Sequence, residues 1–299
     1  MLTLSPVERV GEISKRSFLD DYRRPRRPVV MEEITASWPA RSKWSVDYLK
    51  SAAGDREIPV CDGSRPASGR TYQHAAAGRM RLRDYLERLD DGENALRIFF
   101  VRVVPMLPEL VPDFTYPEIG VRFVDRLSVF FAGGRSARVQ MHFDVDFADV
   151  FLCHFGGKKR VILFAPDQTR YLYHVPFSFS ARFDLAPDAP DYDSFPALAH
   201  ARGKIAELGH GDAVYIPPGY WHYVLYDDIG FSISLRTFPG TPRDVLGALA
   251  NIFAIRTVDG LMRKALGQRW NHRNERLAVE RVHRRLGLAG DGTACAPRP

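Results

Sequence analysis

Between residues 121 and 238 the chain is cut into eight short stretches rich in β-branched and aromatic residues. They run over 127–132, 137–143, 148–155, 159–164, 203–208, 212–216, 221–226 and 230–237. Turn chemistry separates them: Gly133-Gly134, Gly156-Gly157, Gly211-Asp212, Pro217-Pro218-Gly219 and Asp227-Asp228. Such runs between Gly, Pro and Asp read as strands. A series this dense points to a double-stranded β-helix, a jelly-roll barrel, and so to a mainly β fold class with flanking helices. One stretch, 166–202, interrupts the series and is rich in Pro, Asp and aromatics; a segment of that kind within a barrel reads as a rim or lid.

The flanks differ in texture. Residues 1–120 are expected as an α/β flank of the barrel: a helix over 7–24, a strand over Pro28–Glu32, a helix from the Ser45 cap to Lys50, an amphipathic helix over Arg83–Leu89 and a buried strand over Leu96–Val104. Residues 121–240 hold the barrel, and 241–299 form a C-terminal helical region. There, Val245, Leu246, Leu249, Ile252, Phe253, Val258, Leu261 and Leu266 make a broad apolar face over 243–266, followed by a basic helix at 270–286. The first helix is too apolar for a free tail. It packs on the barrel or pairs with a second copy, and a homodimer through these helices is the favoured expectation.

Composition narrows the class. With 45% apolar and 26% charged residues the chain is of ordinary globular make-up. No unbroken run of 18 apolar residues occurs, so no membrane span is expected. Residues 1–13 lack the apolar stretch of a secretory leader, and Cys61, Cys153 and Cys295 are too few and too far apart for a disulfide framework or a thiolate zinc site. The expectation is a soluble cytoplasmic protein. The net charge is +6, with Arg23, Arg24, Arg26 and Arg27 clustered and nine Lys/Arg against three Asp/Glu over 263–299. Charge of this sign attracts nucleic acid or an acidic polypeptide, yet no nucleic-acid motif accompanies it, and a solvated face is the plainer reading.

The chemistry centres on Met141-His142-Phe143-Asp144. Residues two apart on a strand share a face, so the imidazole and the carboxylate project together. A third donor follows in the segment from Gly211 to His222, where Gly-Asp turns into a strand, Pro-Pro-Gly turns out of it and His222 opens the next. Two His and one carboxylate on one side of an octahedral ion form the facial triad of non-haem Fe(II) oxygenases, leaving positions for a 2-oxo acid and O₂. Asp146 competes with Asp144 on composition but not on spacing. His154 reads as a core residue rather than a ligand, and His74, His174, His200, His210, His272 and His283 default to structural or surface roles. Neither a Gly-x-Ser-x-Gly elbow, a P-loop nor a dinucleotide fingerprint is present.

With these motifs in order, residues 28–240 resemble the cupin-like branch of the Jumonji C family. The resemblance rests on the segments 141–144, 157–166, 191–196, 211–222 and 230–238, with Arg27-Pro28-Val29-Val30 and Trp38-Pro39-Ala40 upstream. It implies Fe(II), 2-oxoglutarate as co-substrate with O₂, and hydroxylation. A protein side chain is the preferred substrate, with an RNA base or a small metabolite as alternatives. It also implies a cation for the distal carboxylate of 2-oxoglutarate, which falls on Lys159, with Lys158 as the neighbouring choice. The chain departs from the family pattern in three places: Phe99 or Phe100 where a Tyr is usual, Val139 where a Thr is usual, and Arg236 where an Asn is usual. Arg236 is therefore a candidate clamp for the dicarboxylate, and Gln140 and Asp149 are candidates to replace the lost polar contacts. The missing hydroxyls keep two other readings open: a cupin metalloprotein of non-oxidative function, and an inactive scaffold that recruits a partner.

Overall fold

The structure is a computed structural model that describes residues 1–62, 77–90, 96–183 and 185–287. His74, Cys295 and the end of the basic tail lie outside them. The strands are β1 (Thr3–Pro6), β2 (Glu8–Val10), β3 (Val29–Met31), β4 (Glu57–Asp62), β5 (Gly78–Arg81), β6 (Leu96–Arg102), β7 (Val129–Gly133), β8 (Arg138–His142), β9 (Val150–Gly156), β10 (Lys159–Phe164), β11 (Arg202–Leu208), β12 (Ala213–Ile216), β13 (Trp221–Tyr226) and β14 (Gly230–Arg236). All eight barrel strands expected from the sequence form, β7 to β14. Two sheets face each other, one ordered β1-β11-β10-β13-β8 and the other β2-β3-β12-β9-β14-β7-β6-β4-β5. That arrangement is the jelly roll.

The apolar residues sort into three layers. Between the sheets lie Val139, Val150, Leu152, Val161, Leu163, Val214, Ile216 and Val224. Outside the nine-stranded sheet, Phe151, Phe155, Phe231, Ile233 and Leu235 pack against Phe18, Trp38, Trp44 and Tyr85 of the N-terminal elements. Outside the five-stranded sheet, Met141, Ile162, Phe164, Trp221 and Tyr223 pack against Leu172, Tyr173, Phe183 and Leu198 of the 166–202 stretch. That stretch is therefore an ordered rim built on short 3-10 turns, Pro166–Tyr171 and Pro196–His200.

The N-terminal region departs from expectation. Residues 7–13 are not helical: β1 runs parallel to β11 in one sheet and β2 parallel to β3 in the other, with buried Val7 at the crossing between the sheets. The helical turn starts only at Lys15, where the Ser14 side chain accepts from Ser17 N. The apolar spacing that suggested a helix here belongs instead to two edge strands, and backbone pairing with sheet edges outweighs local helix propensity. The antiparallel pair β4–β5 was not anticipated from sequence.

The arginine cluster is engaged internally. Arg23 reaches Asp149, Arg24 Asp20, Arg26 Asp244 and Arg27 Glu8, at 3.0, 2.5, 2.6 and 2.8 Å. The Arg23 and Arg26 pairs tie the N-terminal segment to the barrel and the C-terminal helix, while Arg24 and Arg27, paired within that segment, stay 75% and 55% exposed.

At the C-terminus one helix runs over Pro242–Leu266, with a wide turn at Ala250–Ile255, and a second over Gln268–Leu286. The second packs on the rim through Val282, with Phe177 against Trp270 and Tyr173 Oη 3.3 Å from His283 Nε2. The first meets the rest of the protein at Gly247, which lies against the Phe147 ring, and through polar groups: Asn251 Nδ2 donates to the Val145 carbonyl, and Asp259 accepts from Trp270 Nε1 and pairs with Arg263. Its apolar face stays open, with Leu246 68% and Phe253 69% exposed. Over its 25 residues this helix is long and apolar enough to cross a membrane by length and composition. Charged residues, Arg256 and Asp259 among them, break its apolar run in the sequence.

Candidate metal and co-substrate site

His142 ends β8, and Asp144 follows two residues later, past the strand end. His222 is the second residue of β13, directly opposite His142 in the antiparallel pair. Gly219, at φ +75°, supplies the left-handed turn that delivers Trp221 and His222 into β13. The ligand atoms of His142, Asp144 and His222 all lie within 4.8 Å of one another. His142 Nδ1 is 2.7 Å from the Gln140 carbonyl and His222 Nδ1 is 3.2 Å from the Tyr220 carbonyl. A carbonyl only accepts, so each Nδ1 carries the proton and each Nε2 lone pair is left for a metal, the usual means of orienting metal-binding histidines. Outside the site, Phe143 packs on Trp221 with ring centres 4.8 Å apart and locks the segment between the two ligands.

Electrostatics favour the ligating forms. Burial, with His222 alongside, pushes His142 down to about 3, and burial also lowers His222, so both imidazoles are neutral near pH 7. Burial by itself would raise Asp144, but Arg236 and the two imidazoles outweigh it and hold the carboxylate at about 2. The Arg236 guanidinium lies 3.2 Å from Asp144 and 2.7 Å from Asp146.

The three donors open on a cavity of about 50 Å³, lined among others by Phe99, Phe100, Phe131, Lys159, Tyr226, Ser234 and Arg236. Lys159 enters because β10 alternates: Lys158 is exposed and Lys159 is 1% exposed. Its Nζ donates to Ser232 Oγ at 2.6 Å and stands 4.0 Å from the centre of the Tyr226 ring. Among the described residues no carboxylate pairs with this ammonium, and burial pushes its pKa well below the usual lysine range. β14 presents Ser232, Ser234 and Arg236 inward and Phe231, Ile233 and Leu235 outward. The Ser234 hydroxyl and the Arg236 Nε are buried without a hydrogen-bond partner. A cavity with a spare cation and orphaned donors fits an anionic, oxygen-rich ligand beside the metal donors.

Two residues expected at the co-substrate stand elsewhere. A bulge separates the pairs His222–His142 and Val224–Val139, so Val139 and His142 both face the cavity and Gln140 does not line it. Gln140 takes part through its carbonyl alone. The Asp149 side chain is held away from the cavity by Tyr215 Oη at 2.7 Å and Arg23 Nε at 3.0 Å. Sequence reasoning missed Ser232 and Ser234. Their signal was the period-two spacing of polar residues 232, 234 and 236 inside an otherwise apolar strand. They bring hydroxyls from β14 to a cavity that lacks them at Phe99 and Val139.

Fold and donor set together define a cupin-type barrel carrying a two-histidine, one-carboxylate site at one end. A profile described as a cupin-like domain matches residues 15–238, and the chain belongs to that family. Lysine-specific demethylase 8 of Xenopus tropicalis is 28% identical over 228 residues, which cover 74% of this chain and 50% of that protein. The tRNA wybutosine-synthesizing protein 5 of Mus musculus is 26% identical over 250 residues, 77% of each. Lysine-specific demethylase JMJ30 of Arabidopsis thaliana is 28% identical over 248 residues, covering 78% of this chain and 55% of that protein. The chain thus spans about half the length of the demethylases it matches.

Proposed function

We propose that this protein is an iron(II)- and 2-oxoglutarate-dependent oxygenase that hydroxylates its substrate. The observation that carries the reading is the Lys159 ammonium, buried without a carboxylate in the cavity onto which His142, Asp144 and His222 open. A buried charge without a counter-ion is costly, and a dianionic co-substrate supplies one. His142, Asp144 and His222 would hold the metal, and Lys159 the distal carboxylate of the co-substrate, through a charge-assisted hydrogen bond. Iron(II) with 2-oxoglutarate and O₂, when bound, would supply the oxidation of a C–H bond, with succinate and carbon dioxide as co-products. The protein's own part is positional. Arg236 fixes Asp144, the two carbonyls fix the imidazole tautomers, and Phe99, Phe100 and Phe131 keep water from the reacting centre. Phe100 stands at the mouth with φ +60° and 45% exposure, where a substrate enters.

For the substrate, a protein side chain is our preferred class. The relatives named for lysine demethylation support it, and the relative named for wybutosine synthesis keeps an RNA base as the alternative. We also propose that the open face of Pro242–Leu266 pairs with a second copy of the chain. Exposed Leu246, Phe253 and Leu261 on a helix whose polar side is already engaged support that arrangement.

The test is anaerobic addition of Fe(II) and 2-oxoglutarate to the purified protein. Their joint binding gives a weak visible charge-transfer band, and admission of O₂ releases succinate. Binding of metal without 2-oxoglutarate would favour the non-oxidative cupin reading instead.

A further inference from the structure

Behind Lys159 lies a buried chain of polar groups that the reaction itself does not use. Ser232 Oγ, which accepts from Lys159 Nζ, is 3.0 Å from His154 Nδ1, and His154 Nε2 is 2.7 Å from the Gly157 carbonyl. His154 and Ser232 are fully buried. The chain has one consistent set of protons. The carbonyl only accepts, so Nε2 carries the hydrogen; Nδ1 is then an acceptor and the Ser232 hydroxyl donates to it; the serine lone pairs are thereby turned toward the ammonium. An imidazolium would break the sequence, because Ser232 would lose its acceptor and a second cation would stand near Lys159. Burial, reinforced by Lys159, holds His154 down at about 3, in the neutral form. The ring is seated by its neighbours as well: a Cβ at Gly230 would lie 2.4 Å from His154 Cε1, so the strand opposite must be glycine there.

We propose that His154 is a positioning residue for the co-substrate: through the Ser232 hydroxyl it orients the Lys159 ammonium toward the distal carboxylate of the 2-oxo acid. The inference rests on the reading of this cavity as the 2-oxoglutarate site. Without His154 the serine hydroxyl is free to turn its hydrogen toward the ammonium, and the cation loses its anchor on the side away from the ligand. His154 touches neither the donors nor the reacting atoms, so its effect falls on co-substrate binding rather than on turnover.

The test uses the full chain loaded with Mn(II), which binds such donors without turning over. The affinity for 2-oxoglutarate is measured by calorimetry, beside KM and kcat for succinate release with Fe(II). Against a wild type that binds, His154→Phe weakens 2-oxoglutarate binding about tenfold, the size of one oriented hydrogen bond. Mn(II) affinity stays unchanged, KM rises in step and kcat holds within about twofold. His154→Gln keeps one donor and one acceptor and restores binding to within about threefold of wild type. Ser232→Ala matches His154→Phe, and the double variant is no worse than either single, as one shared chain requires. Should His154→Phe fail to fold, the Gln and Ser232 variants carry the same comparison. Equal binding by wild type and Phe variant, a Gln variant no better than Phe, or losses that add in the double variant would each overturn the proposal. A wild type that binds Mn(II) but not 2-oxoglutarate brings down the co-substrate reading itself, a result distinct from any of these.

Discussion

Replacing Lys159 by Met should move stability and co-substrate affinity in opposite directions. In the unliganded protein the Lys159 amine is 1% exposed and burial lowers its pKa, so holding its proton is costly; among the described residues the charge is offset only by the Ser232 hydroxyl and the Tyr226 face. Burying an ammonium costs several kcal/mol. A hydrogen bond to a charged group returns about 1.5–3 kcal/mol and a desolvated aromatic face about 2 kcal/mol. The net burden on the unliganded fold is then on the order of 2 kcal/mol. Met fills similar volume without the charge, so that burden is relieved. For 299 residues, at about 2.1 cal/mol/K per residue, 2 kcal/mol raises Tm by about 3 °C. With 2-oxoglutarate present the sign reverses. A carboxylate about 4 Å from the ammonium is stabilised by about 4 kcal/mol at an effective dielectric constant of about 20. Allowing for the cost of desolvating the carboxylate, Lys159→Met weakens 2-oxoglutarate binding roughly 100- to 1,000-fold. Thermal melts of Mn(II)-loaded protein with and without 2-oxoglutarate read both effects. A variant less stable than wild type without ligand, or one that binds 2-oxoglutarate within threefold of wild type, would refute the reasoning.

Three further outcomes follow from the geometry. His222→Ala removes one of three donors and lowers Mn(II) affinity by at least about tenfold, measured by calorimetry, while the barrel melts within a few degrees of wild type. Leu246→Glu with Phe253→Glu on the open helix face gives a monomer by light scattering where wild type is a dimer; equal masses would show that this face does not join two copies. For pH, His154 is held at about 3 against an ordinary 6.5, so between these values the unfolded chain binds the extra proton. Stability is therefore full above pH 6.5 and falls as the pH drops toward 3, by about 1.4 kcal/mol per unit for this group. Urea titrations of metal-free protein from pH 7 to 5 should show a shallower fall for His154→Gln, and identical slopes would remove His154 from the acid response.

The barrel strands were readable in the residues because each is short, apolar and closed by Gly, Pro or Asp, so local pattern and tertiary role agree. The spacing of His142, Asp144 and His222 was readable for the same reason: strand periodicity and the Pro-Pro-Gly turn are local devices. Other features required the folded chain. Residues 7–13 have a helical spacing but pair with distant strands, and only those partners determine the outcome. Gln140 shares parity with His142 in the sequence, yet one extra residue in β8 turns its side chain out of the cavity. Arg23 and Arg26 look like part of a basic patch until Asp149 and Asp244 meet them from across the molecule. Sequence alone therefore determined the barrel strands and the spacing of the candidate metal donors, and it left the inward lysine at the start of β10 as a choice between two neighbours. Tertiary structure decided which of the two lysines is buried, that the Ser232 hydroxyl from β14 meets it and that, among the described residues, no carboxylate does. The physical reason is range: periodicity and turns act over a few residues, whereas burial and charge pairing depend on groups that only folding brings together.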